Sequence, residues 1–145
     1  MNSELLAKTG SKTFFKDLLD STDLDPVYIP ELIEELGANY DFTIDDYRFI
    51  HEDYIDDIQK EELASDLYIL GCFNAWFLSN CSGIDIDIIE TLQKSEAFEG
   101  LGKLMLPYLD KIQQDYASLD GYGHHFNHYD GDEIELGDWY IFRIN

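Results

Sequence analysis

Three of the four histidines in this 145-residue chain, His124, His125 and His128, fall within five positions of the stretch GYGHHFNHYDG, residues 121 to 131, which runs into the acidic DGDE at 130 to 133. Imidazole and carboxylate groups are the ligands of zinc and other transition metals, and they also serve as general acids and bases. His124, His125, His128 and Asp130 are therefore the candidate metal set. Spacing limits what they can do. On a strand over 122 to 129, His124, Phe126 and His128 share one face, while His125, Asn127 and Tyr129 share the other. His124 and His128 would then stand about 13 Å apart, too far for a single ion bound at about 2 Å unless the chain bends. A helix would place them one turn apart, but Gly121, Gly123 and Gly131 argue against a helix there and no HExxH pattern is present. A bulge could still gather His125 or His128 with Asp130 and Asp132. The stretch is expected to be the first arm of a hairpin, with no cofactor.

The second constellation is made of carboxylates. In IDDYRFIHEDYIDDIQKEEL the acids come in pairs: Asp45 and Asp46, Glu52 and Asp53, Asp56 and Asp57, Glu61 and Glu62. If the segment is helical, Asp46, Asp53, Asp57 and Glu61 lie on roughly one face. Eight carboxylates over 45 to 62 would then recur about every 3.4 Å of helix axis, close to the phosphate spacing along one strand of B-DNA. Arg48 and Lys60 dilute the pattern, and a solvated charged face is the bland alternative. Tyr47 and Tyr54 are candidate aromatic anchors beside the charge.

Other chemistries leave fewer traces. Cys72 and Cys81 read as members of one helix, on opposite faces about 13 Å apart, so no intrachain disulfide follows and both are expected to be buried. DGDEIE and DSTDLDP are rich in oxygen ligands but lack the alternation, glycine and distal Glu of an EF-hand loop. No G-x-S-x-G, phosphate-cradling glycine loop or Cys–His arrangement is present. With 31 acidic residues, a pair of carboxylates carries almost no information about catalysis. No catalytic residue is assigned, and the chain is not expected to be an enzyme.

These residues must be positioned by elements. Helices are expected over 12 to 20, over IPELIEELG with Pro30 in its first turn and Gly37 as its stop, from about 53 onward, and most clearly over EELASDLYILGCFNAWFLSN. In that last helix, Leu63, Leu67, Leu70, Asn74 and Phe77 follow three- and four-residue spacing, Gly71 permits close packing and Asn74 requires a buried partner. Further helices follow over IIETLQK, EAFEGLGKLM and PYLDKIQQDYASL. NYDFTIDDYRFI is ambiguous: Tyr40, Phe42 and Ile44 alternate as in a strand, while Thr43 could cap a helix. From 122 to 144, Asp-Gly and Gly-Asp turns between alternating aromatic and branched residues predict a three-stranded antiparallel meander. The expectation is one α+β domain over 1 to 145, helical from 12 to 118 and closed by the meander.

Composition then bears on function. A hydrophobic share of 45% with 14% aromatics provides material for a core, which sets the chain apart from acidic disordered segments. The N-terminal MNSELLAKTGSKTFF has no apolar run of signal-peptide length, and the longest apolar stretch, LYILGCFNAWFL, is too short to cross a bilayer. The expectation is a cytoplasmic protein, in the host cell if phage-encoded, with no membrane partner. The 31 Asp and Glu against 9 Lys and Arg give a formal net charge of -22. Such a surface repels nucleic acid and steers toward a basic cleft. In size, charge, aromatic content and paired acids the chain resembles the small acidic DNA-mimic, anti-defence proteins of phages and mobile elements. That resemblance rests on no diagnostic motif and carries over no functional residue. It implies an inhibitor or decoy on a basic nucleic-acid-binding protein such as a nuclease or defence effector, with no direct nucleic-acid contact. The expected contact residues are Asp45, Asp46, Glu52, Asp53, Tyr54, Asp56, Asp57, Glu61 and Glu62. An immunity or antitoxin protein covering a basic toxin nuclease is the alternative, and a metal-dependent enzyme built on the histidine cluster stands behind it. Halophilic adaptation fits the isoleucine- and tyrosine-rich, arginine-poor composition poorly.

Overall fold

The computed structural model describes residues 12–145, so the N-terminal segment read for a signal peptide lies, for residues 1 to 11, outside the described residues. The fold is α+β, and the chain divides into two compact units. One combines the residues up to Ile55 with Asp120–Asn145, and the other is Asp56–Leu119.

In the first unit, α1 (Lys12–Ser21) leads through a short 3-10 turn at Pro26–Tyr28 into α2 (Ile29–Leu36), which ends at Gly37 as the sequence predicts. The ambiguous segment is a hairpin, β1 (Asp41–Ile44) and β2 (Tyr47–His51), closed by Asp45 and Asp46. Its strand alternation prevails over the candidate Thr43 cap because Tyr47 and Phe49 can then face a core while Phe42 stacks on Phe49 at 5.1 Å. A second hairpin, β3 (Ile134–Leu136) and β4 (Trp139–Arg143), docks beside it, giving an antiparallel sheet in the order β1-β2-β4-β3. Phe49 faces Ile141 and His51 faces Trp139 across the central pair. Phe14 and Leu18 of α1 and Leu32 and Leu36 of α2 cluster with Tyr47, Phe49, Trp139 and Ile141 on this face of the sheet.

The expected first arm of the meander is not a strand. Residues Gly123–Phe126 form a single helical turn, α9, and the mostly helical span 12 to 118 contains the β1–β2 hairpin at the segment whose pattern is ambiguous. The reason lies in Phe126: it is 1% exposed and packs on Phe142, with the Arg48 guanidinium over its ring, so α9 covers the second face of the sheet. Gly123 does not break this turn. A side chain at Gly123 would strike the backbone of Gly131 and Asp132, so the glycine is there for close approach. The Glu133 carboxylate accepts from the Tyr122 N–H at 3.0 Å and the Gly123 N–H at 3.4 Å, and Asn127 Oδ1 accepts from the N–H groups of Tyr129 and Asp130. These bonds hold residues 127 to 133 as a turn rather than a ladder.

The second unit is helical: α3 (Ile55–Ser65), α4 (Leu67–Gly71), α5 (Ala75–Ser82), α6 (Ile86–Lys94), α7 (Phe98–Met105) and α8 (Leu109–Asp120), of which only the first residue of α3 and the last of α8 are counted with the first unit. The single helix expected over 61 to 80 is broken twice. The Asp66 side chain accepts from the Ile69 N–H and caps α4, and Asn74 Oδ1 accepts from the N–H groups of Trp76 and Phe77 and caps α5. Short polar side chains that satisfy the free N–H groups of a new helix end the old one at little cost. Asn74 is therefore an exposed cap and not a core residue, and Cys72 and Cys81 do not share a helix. Cys72 is exposed, against expectation; Cys81 is half-buried, its thiol donating to Asp115 Oδ2 at 3.5 Å. Close packing at Gly71 does hold: a side chain there would strike the Phe98 backbone, as one at Gly102 would strike that of Leu67, so α4 and α7 cross with their backbones touching. Leu70, Leu78, Ile89, Leu101, Met105 and Ile112 form the core.

Candidate partner-binding surface

Only the part of the acidic stretch from Ile55 onward is helical. The regular carboxylate spacing expected from one helix over 45 to 62 is therefore absent. Asp45 and Asp46 form the β1–β2 turn, Asp45 in the left-handed region at φ 53°. Glu52, Asp53 and Tyr54 follow the other end of β2, so Asp46 and Glu52 lie about 20 Å apart along an extended strand. These residues belong to the first unit, whereas Asp56, Asp57, Glu61 and Glu62 lie on α3 in the second. Asp56 and Asp57 occupy the first turn of α3, where carboxylates favour the positive end of the helix dipole. Asp56 also accepts from Gln113 Nε2 at 2.8 Å, which places it partly in a structural role.

Tyr47 cannot serve as an anchor. It is 3% exposed, and its hydroxyl is held at the edge of the fold, where it donates to Oδ1 of the exposed Asp23. Tyr54 can: it is exposed and stacks on Tyr40, also exposed, with ring centroids 4.0 Å apart. The hydrogen bond with Tyr40 and partial burial hold the Tyr54 phenol above its ordinary value, so it is neutral at physiological pH. The exposed carboxylate of Asp53 acts on Tyr54, and Glu52, also exposed, lies one residue earlier in the chain. Partial desolvation, followed by the neighbouring Asp138 carboxyl, pushes Glu52 up.

The fourth histidine, His51, lies outside the cluster in sequence. His51 is 2% exposed and lies edge-on to Trp139, Tyr40 and Tyr54. Its Nδ1 accepts from the Asp53 N–H at 3.1 Å, which puts the proton of the neutral ring on Nε2. That Nε2 and the Trp139 Nε1 are both buried without a hydrogen-bond partner. The signal was available: His51 continues the inward positions Tyr47 and Phe49 at a spacing of two.

The histidine cluster does not assemble. His124 and His128 are exposed and His125 is half-buried, and α9 ends at Phe126, before it could bring His128 one turn above His124. Among the described residues no group of three or more His, Cys, Asp or Glu is arranged to hold a metal ion. Asp130 instead lines a cleft with Asp20, Asp23, Asp132, Glu133 and Arg143, and its Oδ1 accepts from the Asp132 N–H. Arg143 pairs with Asp23 at 3.5 Å and covers the Tyr129 ring at 4.0 Å. Among the described residues no helix is long and apolar enough to cross a membrane.

Comparison with protein-family models, with curated protein sequences and with solved structures found no match to this chain.

Proposed function

We propose that this protein is an acidic inhibitor or decoy that occupies a basic, nucleic-acid-binding site on a partner protein, such as a nuclease or defence effector, in the cytoplasm. One observation carries the proposal: among the described residues no Asp or Glu is buried, so their carboxylates stand on the surface of a chain whose formal net charge is -22. Arg48, Lys60, Lys111 and Arg143 are each engaged with a carboxylate of the same chain, namely Asp41, Asp110, Asp115 and Asp23. Such a field speeds encounter with a positive cleft and weakens with salt. The Tyr40–Tyr54 pair with the Asp53 carboxylate offers the mix of aromatic face and carboxylate that suits an arginine side chain.

A second reading, an immunity protein covering a toxin nuclease, gains from the same geometry. The eight carboxylates of 45 to 62 lack a phosphate-like repeat, and covering a site does not require one. A pull-down from the native host at low and high salt, with DNA as competitor, separates the two. A partner that is released roughly tenfold more readily between about 50 and 300 mM salt and displaced by DNA fits the decoy; a nuclease indifferent to DNA fits immunity. Two variants locate the contact, one with Glu52→Lys, Asp53→Lys and Tyr54→Ala, the other with Asp57→Lys and Glu61→Lys. If both retain full partner binding with native circular dichroism, the acidic stretch is not the contact surface.

A further inference from the structure

The second unit carries an apolar feature that its charge does not explain. An open groove of about 640 Å³ runs between the α4–α5 connection and α6, with Cys72, Phe73 and Trp76 on one wall and Glu90, Gln93 and Lys94 on the other. Trp76 is 65% exposed, and Ile69, three residues before Cys72, is 50% exposed. A tryptophan left in water at the mouth of a concave surface is the residue type most enriched at the energetic centres of protein interfaces.

The groove is built rigidly. Gln93 Nε2 donates to the Gly71 carbonyl at 3.1 Å and the Phe73 carbonyl at 2.8 Å, tying α6 to the connection. Asn74 caps α5 and so fixes the first turn, on which Trp76 sits. Phe73 is wedged against Phe77 and Tyr116. A wall held at this many points loses little freedom on binding, which favours affinity.

Charge selects the occupant. This unit, Asp56–Leu119, holds twelve carboxylates against four lysines. On α6, Asp87 lies one turn before Glu90, on the same side, with Lys94 the single cation of that row. A second copy of the chain would bring its own strong negative charge to the contact. We infer that the groove binds a basic amphipathic helix of a partner protein, with apolar side chains seated against Trp76 and Phe73 and lysine or arginine outward in the field of the surrounding carboxylates. The groove belongs to the second unit and the Tyr40–Tyr54 pair to the first, and the inference stands whether or not the partner binds nucleic acid.

Fluorescence tests it directly on the full chain, because the only other tryptophan, Trp139, is fully buried. The probe is a Leu/Lys peptide of about five helical turns, or about 18 residues. Matched Ser/Lys and Leu/Glu peptides serve as controls. The Leu/Lys peptide is expected to bind with a blue shift of Trp76 emission, and Trp76→Ala is expected to weaken that binding roughly tenfold or more with unchanged circular dichroism. The Ser/Lys peptide should bind weakly and identically to both proteins, and the Leu/Glu peptide should not bind. Because Trp76→Ala removes the reporter, anisotropy of labelled peptide measures both proteins. Equal affinity for Leu/Lys and Ser/Lys peptides, or no effect of Trp76→Ala, overturns the inference. So does a concentration-dependent dimer in sedimentation that Trp76→Ala dissolves, which would make a second copy the occupant. A blue shift on neutral phosphatidylcholine vesicles in place of the peptide would make it a lipid surface.

Discussion

Glu52 and Asp138 bring two carboxyl groups together at the end of β2, and the Glu52 carboxyl is raised above its ordinary 4.5 by partial desolvation and then by Asp138. A carboxyl whose folded value is raised stabilises the fold while it is protonated, and that contribution is lost as pH rises through the folded value. Glu52→Gln is therefore expected to raise Tm at about pH 7 and to have no effect near pH 3, as read from melts across that range; a lower Tm at neutral pH would mean that the charge pair stabilises the fold. Gly71 makes the opposite kind of demand. Alanine there drives its methyl group into the Phe98 backbone, so Gly71→Ala should cost about 1–3 kcal/mol in chemical denaturation, whereas alanine at Gly100, which faces open space, should not destabilise. Glycine at 71 was legible as a site of close packing. What it packs against was not, because Phe98 is 27 residues away along the chain and nothing local encodes the crossing.

At the scale of elements, a regular spacing of apolar residues between clear stops predicts its element, whereas a segment whose apolar residue is captured by a distant element is misread. The helices over 12 to 21, 29 to 36 and 98 to 105 and the strands at 134 to 136 and 139 to 143 follow from their own periodicity and stops. The stretch 122 to 129 alternates as a strand should, yet Phe126 is pulled onto the outer face of the sheet and the backbone winds to deliver it. Phe126→Ala is accordingly expected to destabilise by about 3–5 kcal/mol, measured by urea denaturation, while His124→Ala at an exposed position changes little. If the two variants were equally mild, α9 would not be what covers that face. In the same way, Asp66 and Asn74 interrupt what looks like one long helix. A capping side chain and a mid-helix polar residue are the same letter, and only the position of the next core residue distinguishes them.

Over the whole molecule the net charge of -22 opposes the compact state by self-repulsion. Screening should relieve it, so Tm is expected to rise as sodium chloride is increased from about 20 to about 500 mM, over which range the screening length falls several-fold. A Tm that falls would show that the native ion pairs outweigh the repulsion. The fold class, the acidity and the helical character of the middle of the chain were determined by the sequence itself, because composition and one-sided periodicity act locally and sum along the chain. The candidate surface was decided by tertiary structure. Strand pairing placed Asp45 and Glu52 at opposite ends of β2, burial withdrew Tyr47, and stacking set Tyr54 on Tyr40. The exposure of Trp76 depends likewise on a cap at Asn74 and on Gln93 reaching across from another helix. The burial of Tyr47, the stacking of Tyr54 on Tyr40 and the reach of Gln93 to Phe73 depend on partners distant in sequence, and the free energy that selects them exists only once the chain has closed on itself.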